Sequence, residues 1–515
     1  MKKDILKACM AVFFISITTL VCAYLTVIKE EVFKYEEVQK EVIDESYIHE
    51  IKDNNFDLPA VMINTNGEAI KKREDIVADI RVYENSSNKS NSNNNGDNSN
   101  NNNNNKFNDY ECSEYKTNIS IRGNSTNKYP KKQFSLEIIK DNGEEKNVKL
   151  LGMKSGSDWV LNGPFSDKSL MRNYIAYKTA RNIMEYAPDV RFCEVFIVDD
   201  NSEKVENRHY KGVYMMIEKI KRDEDRVDIV KSQENLDETS FIVAKDRTRY
   251  NDVALNTYGV QTYIDFYGLN IEYPKKNLTT ENYEYINKFI SEFERILYSD
   301  KFNDPINGYR KYIDVNSFVD FYIINEFFKN TDAGLLSTYF YKDYEEKLKA
   351  GPVWDFNKSL GNHNEEIGKP FEYEGFFMIN RPWFDRLMED KSFADRVVNR
   401  YKELRHTYLR DDYLIEMIDE TIELLGDAVD RNFNTWPIEI CNQDELFENN
   451  KDVTGSLSLY IESYKEFLEK NTSLLKNTDY KAKSYAEEIE MMKGFIINRG
   501  KWIDDNIDSL SKWAS

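Results

Sequence analysis

Histidine is nearly absent, with 4 residues in 515. A histidine-rich metal centre is thereby excluded, and any acid–base or metal chemistry falls to carboxylates. Cysteine is scarce too, at 5 residues. Cys9 and Cys22 sit in an apolar N-terminal run; Cys112, Cys193 and Cys441 are far apart, and no C-x-x-C occurs. Neither a zinc knuckle nor a thioredoxin motif is present, and at most one incidental disulfide is expected. Glycine (20) and proline (10) are too few for collagen-like or elastic architectures. A basic excess is missing as well: 70 Lys and Arg against 91 Asp and Glu leave a net charge of −21. No nucleic-acid partner is expected, because phosphate contacts need a basic face.

What the chain does have is aromatic side chains, 13% of residues, with 34 Tyr and 29 Phe. That is unlike a disordered acidic protein, and the length suits two or three domains. Ala8 to Ile28 is an uncharged run of 28 − 8 + 1 = 21 residues behind Lys2, Lys3 and Lys7. Its length matches a bilayer. Residues 1–28 are therefore expected to anchor the protein in a membrane, N-terminus in the cytoplasm and main domain outside. A cleaved signal, giving a secreted or spore-associated protein, is the rival reading. Residues 29–55 form a charged spacer.

Alternating apolar residues predict strands at Phe56–Asn64, Ile76–Tyr83, Tyr115–Arg122 and Lys132–Ile139. Between the second and third, residues 86–106 are asparagine-rich, with nothing apolar to bury, and read as a disordered loop inserted within a domain. A helix follows at Leu170–Tyr186, then strands at Phe192–Val198 and Gly212–Ile217. Helical periodicity marks Glu281–Tyr298 and Val315–Phe328. A strand pair, Ser337–Lys342 and Lys347–Val353, precedes a helical remainder with amphipathic stretches at Asp411–Leu425, Leu457–Leu475 and Tyr485–Ile507. Strands segregated from helices make the fold class α+β, in two lobes. Asp158 to Asn162 reads as core packing.

Three places are chemically unusual. The first is the turn Arg122-Gly123-Asn124-Ser125, followed by Lys131-Lys132. Small residues let backbone N–H groups approach a phosphate that a lysine could neutralise. Strand parity puts Lys132 in phase with Phe134, Leu136 and Ile138, on the buried or cleft side, and Lys131 in phase with Ser135 and Glu137. A solvated basic hairpin end accounts for the same residues. The second is Asn325 to Gly334, where Asp332 lies just beyond an apolar helix; a helix stop also explains it. The third is Gly351 to Asn357, where Asp355 stands between Trp354 and Phe356. Such an acid is partly desolvated, at a cost unless paired or metal-bound. The spacing 355 − 332 = 23, with a hairpin between, would bring both acids to one cleft. There one could orient an accepting hydroxyl and the other hold Mg²⁺ against phosphates.

Several long stretches, in one order, carry a resemblance: Arg122 to Ile138, Leu150 to Ala180, Gly212 to Ile229, Asn330 to Asn362 and Trp383 to Arg405, with a weaker one at Ile496 to Ile507. They resemble the CotH kinase family, spore-coat-protein-H-type proteins. The resemblance implies an atypical bilobal protein-kinase-like fold over residues 56–405, with a mainly antiparallel N-lobe sheet and a helical C-lobe. Residues 406–515 would be its helical C-terminal extension. It implies ATP-dependent phosphorylation of protein serine or threonine with Mg²⁺ or Mn²⁺. Asp332 falls at the family's catalytic acid and Asp355 at its metal-binding acid. By kinase analogy Lys132 or Lys131 would contact the phosphates, Arg122 to Ser125 would cover them, and Glu218 would meet adenine. Asn357 stands where an acid, a second metal ligand, is expected. The competing function is a surface-binding or structural spore-coat protein that keeps the fold without turnover. The acidic balance predicts a substrate rich in Ser or Thr and in Lys or Arg.

Overall fold

The computed structural model describes residues 58–85, 110–124, 126–202, 204–232, 238–262, 268–362, 372–438, 482 and 484–513. The apolar run at residues 8–28, the spacer, the asparagine-rich stretch, Ser125 and the predicted helix at 457–475 lie outside them. Alternation first shows its effect in seven strands: β1 (Ala60–Asn64), β2 (Ile76–Asn85), β3 (Tyr110–Arg122), β4 (Gln133–Ile139), β5 (Asp158–Asn162), β6 (Val190–Val198) and β7 (Tyr210–Glu218). They close into a barrel in the order β1-β2-β3-β4-β5-β7-β6. The closing pair, β1 with β6, is parallel, from Ala60 opposite Glu194 to Asn64 opposite Val198; the other pairs are antiparallel. A mainly antiparallel N-lobe sheet in a bilobal kinase-like arrangement was expected; the strands instead form a closed seven-stranded barrel. Closure removes the sheet edges, and its interior is filled by side chains such as Val61, Ile80, Ile119, Leu136, Trp159, Leu161 and Val195.

A second sheet holds β8 (Phe241–Asp246), β9 (Gly268–Tyr273), β10 (Thr338–Lys342) and β11 (Leu348–Ala350) in the order β11-β10-β8-β9, all antiparallel. The helices are α1 (Arg172–Arg181), α2 (Tyr258–Thr262), α3 (Thr280–Leu297), α4 (Val315–Phe328), α5 (Phe384–Leu387), α6 (Lys391–Arg405), α7 (Asp411–Leu425), α8 (Ala428–Thr435), α9 (Tyr485–Asn506) and α10 (Asp508–Trp513). Side-chain caps start several of them. Asp314 accepts from Ser317 N at the head of α4, and Ser484 from Glu487 N at the head of α9. Helix α4 is buried on nearly every side and stops at Lys329, whose φ of 47° is left-handed. The helices and the second sheet share one core with the outer side of the barrel wall, through Val160, Phe192, Val213 and Met215.

The mixture of strands and helices is α+β. The membrane-anchored localisation is corrected: among the described residues no helix is long and apolar enough to cross a membrane. Among the described residues Cys112 and Cys193 form no disulfide, and the latter is buried in the barrel.

Candidate functional site

A cleft of about 1340 Å³ lies between the barrel and the second sheet. Period-two alternation builds its walls. On β4, Phe134, Leu136 and Ile138 point into the barrel, so Gln133, Ser135 and Glu137 are left to line the cleft with Ser120 and Arg122 of β3. Ala244 and Asp246 of β8, Asn270 and Glu272 of β9 and Tyr339 of β10 form the opposite wall.

One end holds the two acids. Asp332 sits in the turn after α4, its backbone carbonyl accepting from Leu336 N at 2.8 Å. Its carboxylate lies 3.7 Å from Lys358 Nζ. Asp355 follows β11 with φ of 62°. Its backbone N–H donates to Tyr177 Oη at 3.0 Å, and that of Phe356 to Asn173 Oδ1 at 2.6 Å. No described residue donates a hydrogen bond to the Asp355 carboxylate. Burial pushes its pKa up to about 6, the charge of Asp332 adds to this, and Arg122 and Lys358 oppose it. The Arg122 guanidinium lies 5.5 Å from the centre of the Trp354 ring, and burial lowers its pKa. Gly123 has φ of 97°, and a Cβ there would strike the Thr126 hydroxyl, so this turn needs glycine. Asn124, beside it, accepts from Arg73.

The other end is an ion-pair network. Glu137, Glu145 and Asp158 offer oxygens within 4.8 Å of one another. Asp158 accepts from Lys219 at 2.8 Å and Lys221 at 2.5 Å, and Glu145 from Lys276 at 2.9 Å. Burial opposes ionisation of Asp158, but the two lysines hold its carboxyl well below the usual range. These ammonium groups occupy the place a cation would take.

Arg122, Gly123, Asn124, Asp332 and Asp355 thus meet in the cleft, while Lys131, Lys132, Glu218 and Asn357 do not line it. The parity argument for the lysines fails because both precede β4, and because the apolar phase faces the barrel interior, not the cleft. Lys131 is buried, and its Nζ donates to Val213 O and Asn432 Oδ1, each at 2.7 Å. Burial pushes its pKa far down. Lys132 donates to Asn127 O at 2.7 Å. Glu218 is fully buried, 2.9 Å from Arg226 and accepting from Asp189 N, which leaves it nothing to offer a base. Asn357 Oδ1 is buried with no hydrogen-bond partner among the described residues, as are Asn330 Oδ1 and Thr331 Oγ1 in the turn before Asp332. Sequence reasoning missed the roles of Tyr177, Asn173, Lys358 and the Asp158 network, although Asp158, Asn173 and Tyr177 lie in the stretch Leu150 to Ala180 and Lys358 in Asn330 to Asn362, both of which carry the family resemblance.

A donorless, partly buried carboxylate next to a second acid fits a divalent cation, and an all-oxygen donor set suits Mg²⁺ or Mn²⁺. No curated protein matches the chain. A family model described as CotH kinase protein matches residues 119–503, well over half of the 515. That span runs from β3 to the last turn of α9 and contains both acids. The chain belongs to the CotH kinase protein family.

Proposed function

We propose that the protein transfers the γ-phosphoryl group of ATP to a serine or threonine of a protein, with Mg²⁺ or Mn²⁺. The observation that carries this reading is Asp355: a carboxylate to which no described residue donates a hydrogen bond, beside a second acid, at the end of a cleft large enough for a nucleotide. In it, Asp355 holds the metal, which supplies positive charge against the phosphate oxygens. Asp332, steered by Lys358 at 3.7 Å, accepts the proton of the attacking hydroxyl. The hydroxyl oxygen forms the new P–O bond as the bond to the ADP oxygen breaks. Arg122 and Arg249 line the cleft and take the phosphate contact that the displaced Lys131 and Lys132 leave open. The turn Gly123-Asn124 covers the phosphates. The barrel and the helical part act as the two lobes.

The test is incubation of the full chain with γ-labelled ATP and Mg²⁺ or Mn²⁺, beside Asp332→Ala and Asp355→Ala. Label in the parent alone is the expected result; equal label in all three, or none in any, overturns the reading. The net charge of −21 further favours basic acceptors. A Ser- and Lys-rich peptide should be phosphorylated faster than an acidic one, with the advantage shrinking as salt rises. Equal rates that ignore salt would remove the basic substrate.

A further inference from the structure

We propose that Tyr177 and Asn173 of α1 are the positioning residues of Asp355, fixing its carboxylate through the backbone without touching the reacting atoms. The inference rests on Asp355 being the metal-holding acid. Asp355 is the centre of an unfavourable local conformation. A φ of 62° belongs to the left-handed region, which a residue with a Cβ seldom adopts. Such a conformation persists when its surroundings over-determine it. Here the backbone N–H groups of Asp355 and Phe356 find no carbonyl among the described residues. Their acceptors are two side chains, Tyr177 Oη at 3.0 Å and Asn173 Oδ1 at 2.6 Å. Asn173 and Tyr177 are four residues apart, one turn along the same face of α1.

Both side chains are fixed in turn. Each is 1% exposed. The Tyr177 ring stacks on Trp354, centroids 5.9 Å apart, and meets Phe356 edge-on at 6.2 Å. Burial, and then the charge of Asp355, keep the phenol protonated at any physiological pH, so its oxygen remains a neutral acceptor. The preceding residue completes the grip. Arg172 Nε donates to Ser359 O at 3.0 Å and Nη2 to Leu360 O at 3.3 Å. Three side chains of one helix therefore hold four backbone groups of the segment 355–360. A rigid helix is the kind of support an acid needs to keep a metal-binding geometry within a fraction of an ångström.

Tyr177→Phe removes one oxygen and keeps the ring, so the fold should survive. The probe is Mn²⁺ with ADP, titrated by calorimetry so that no turnover is involved. The variant is expected to bind about tenfold more weakly, the loss that one hydrogen bond to a positioned group supports. Label transfer should fall through KM for the metal–nucleotide complex more than through kcat. Tyr174→Phe is the control: the same helix loses the same atom, but Tyr174 packs on Phe192 at 4.6 Å, away from Asp355. It should bind as the parent does. Equal affinity of Tyr177→Phe and the parent overturns the positioning role while leaving the kinase reading intact. Equal weakening by Tyr174→Phe overturns it too, as a general softening of α1. A parent chain that binds no Mn²⁺ with ADP overturns both.

Discussion

Asp355→Asn is expected to melt higher than the parent chain at pH 8 without metal, and to lose phosphoryl transfer by ~10³-fold, the scale of removing a principal charge-stabilising group. The two effects have one cause. Burial and the neighbouring Asp332 push the Asp355 carboxyl up to about 6, against about 3.9 in the unfolded chain. Between these values the folded state keeps a proton that the unfolded state has lost. More protons bound in the folded state means that stability falls as pH rises through the window. Above pH 6 the loss is complete, and two pKa units correspond to about 3 kcal/mol. The site thus carries its ionised acid at a penalty that a bound cation relieves. Asparagine cannot ionise, so it removes the penalty and the metal affinity together. Melts at pH 5 and pH 8, with and without Mn²⁺, check this. The parent should gain more from Mn²⁺ at pH 8 than at pH 5, since binding must displace the proton at the lower pH. An Asn variant with the parent's pH slope, or with the parent's response to Mn²⁺, would refute the account.

Much of this arrangement was legible in the residues themselves, for physical reasons that also mark where legibility ends. Helices α4 and α7 were bounded at Val315–Phe328 and Asp411–Leu425 from their apolar and amphipathic patterns, and the structure has the same limits. Strands β2, β3 and β4 declared themselves by alternation because one face is buried in the barrel and the other meets solvent or the cleft. Strand β5 did not. All five of its residues are buried, since Trp159 and Leu161 fill the barrel while Val160 joins the larger core. A strand covered on both faces has no alternation to read. Barrel closure was hidden for another reason. It depends on β1 lying parallel to β6, a pairing across about 130 residues that no local pattern encodes. The convergence of Asp332 and Asp355 was anticipated from the hairpin between them, because β10 and β11 are a local pair. The lysines failed because parity was carried two residues beyond the strand, into a turn where it has no force. Tyr177 and Asn173 were unreadable: on a helix, a buried tyrosine that accepts one backbone hydrogen looks the same as one that only packs.

Arg499→Met is expected to destabilise the protein by ~3–5 kcal/mol, the usual result of leaving one member of a buried ion pair alone. Arg499 lies on α9, is 0% exposed, and pairs with Glu326 near the end of α4. It also donates to Glu326 O at 2.9 Å, Tyr373 O at 2.6 Å and Gly375 O at 2.8 Å. Glu326 in turn accepts from Met378 N at 2.8 Å. Without the guanidinium, Glu326 is a buried carboxylate whose pKa, already raised by burial, must rise further. The variant should therefore lose less stability at pH 5, where Glu326 can take up a proton, than at pH 8. The double variant Arg499→Met/Glu326→Leu leaves no charge behind and should recover part of the loss, a non-additivity expected of residues in contact. Denaturant melts of the parent, the single variants Arg499→Met and Glu326→Leu, and the double variant at both pH values decide it. A double variant less stable than Arg499→Met, with no pH difference, would assign the effect to the three lost carbonyl contacts instead. The consequence reaches the cleft, because Glu326 stands six residues before Asp332 and Glu488, also on α9, lies 2.6 Å from the Arg172 that grips Ser359 and Leu360. One C-terminal helix thereby braces the segments that carry both acids. Residues beyond 405, expected from the sequence to be an extension, would on this account be required for the site to hold its shape.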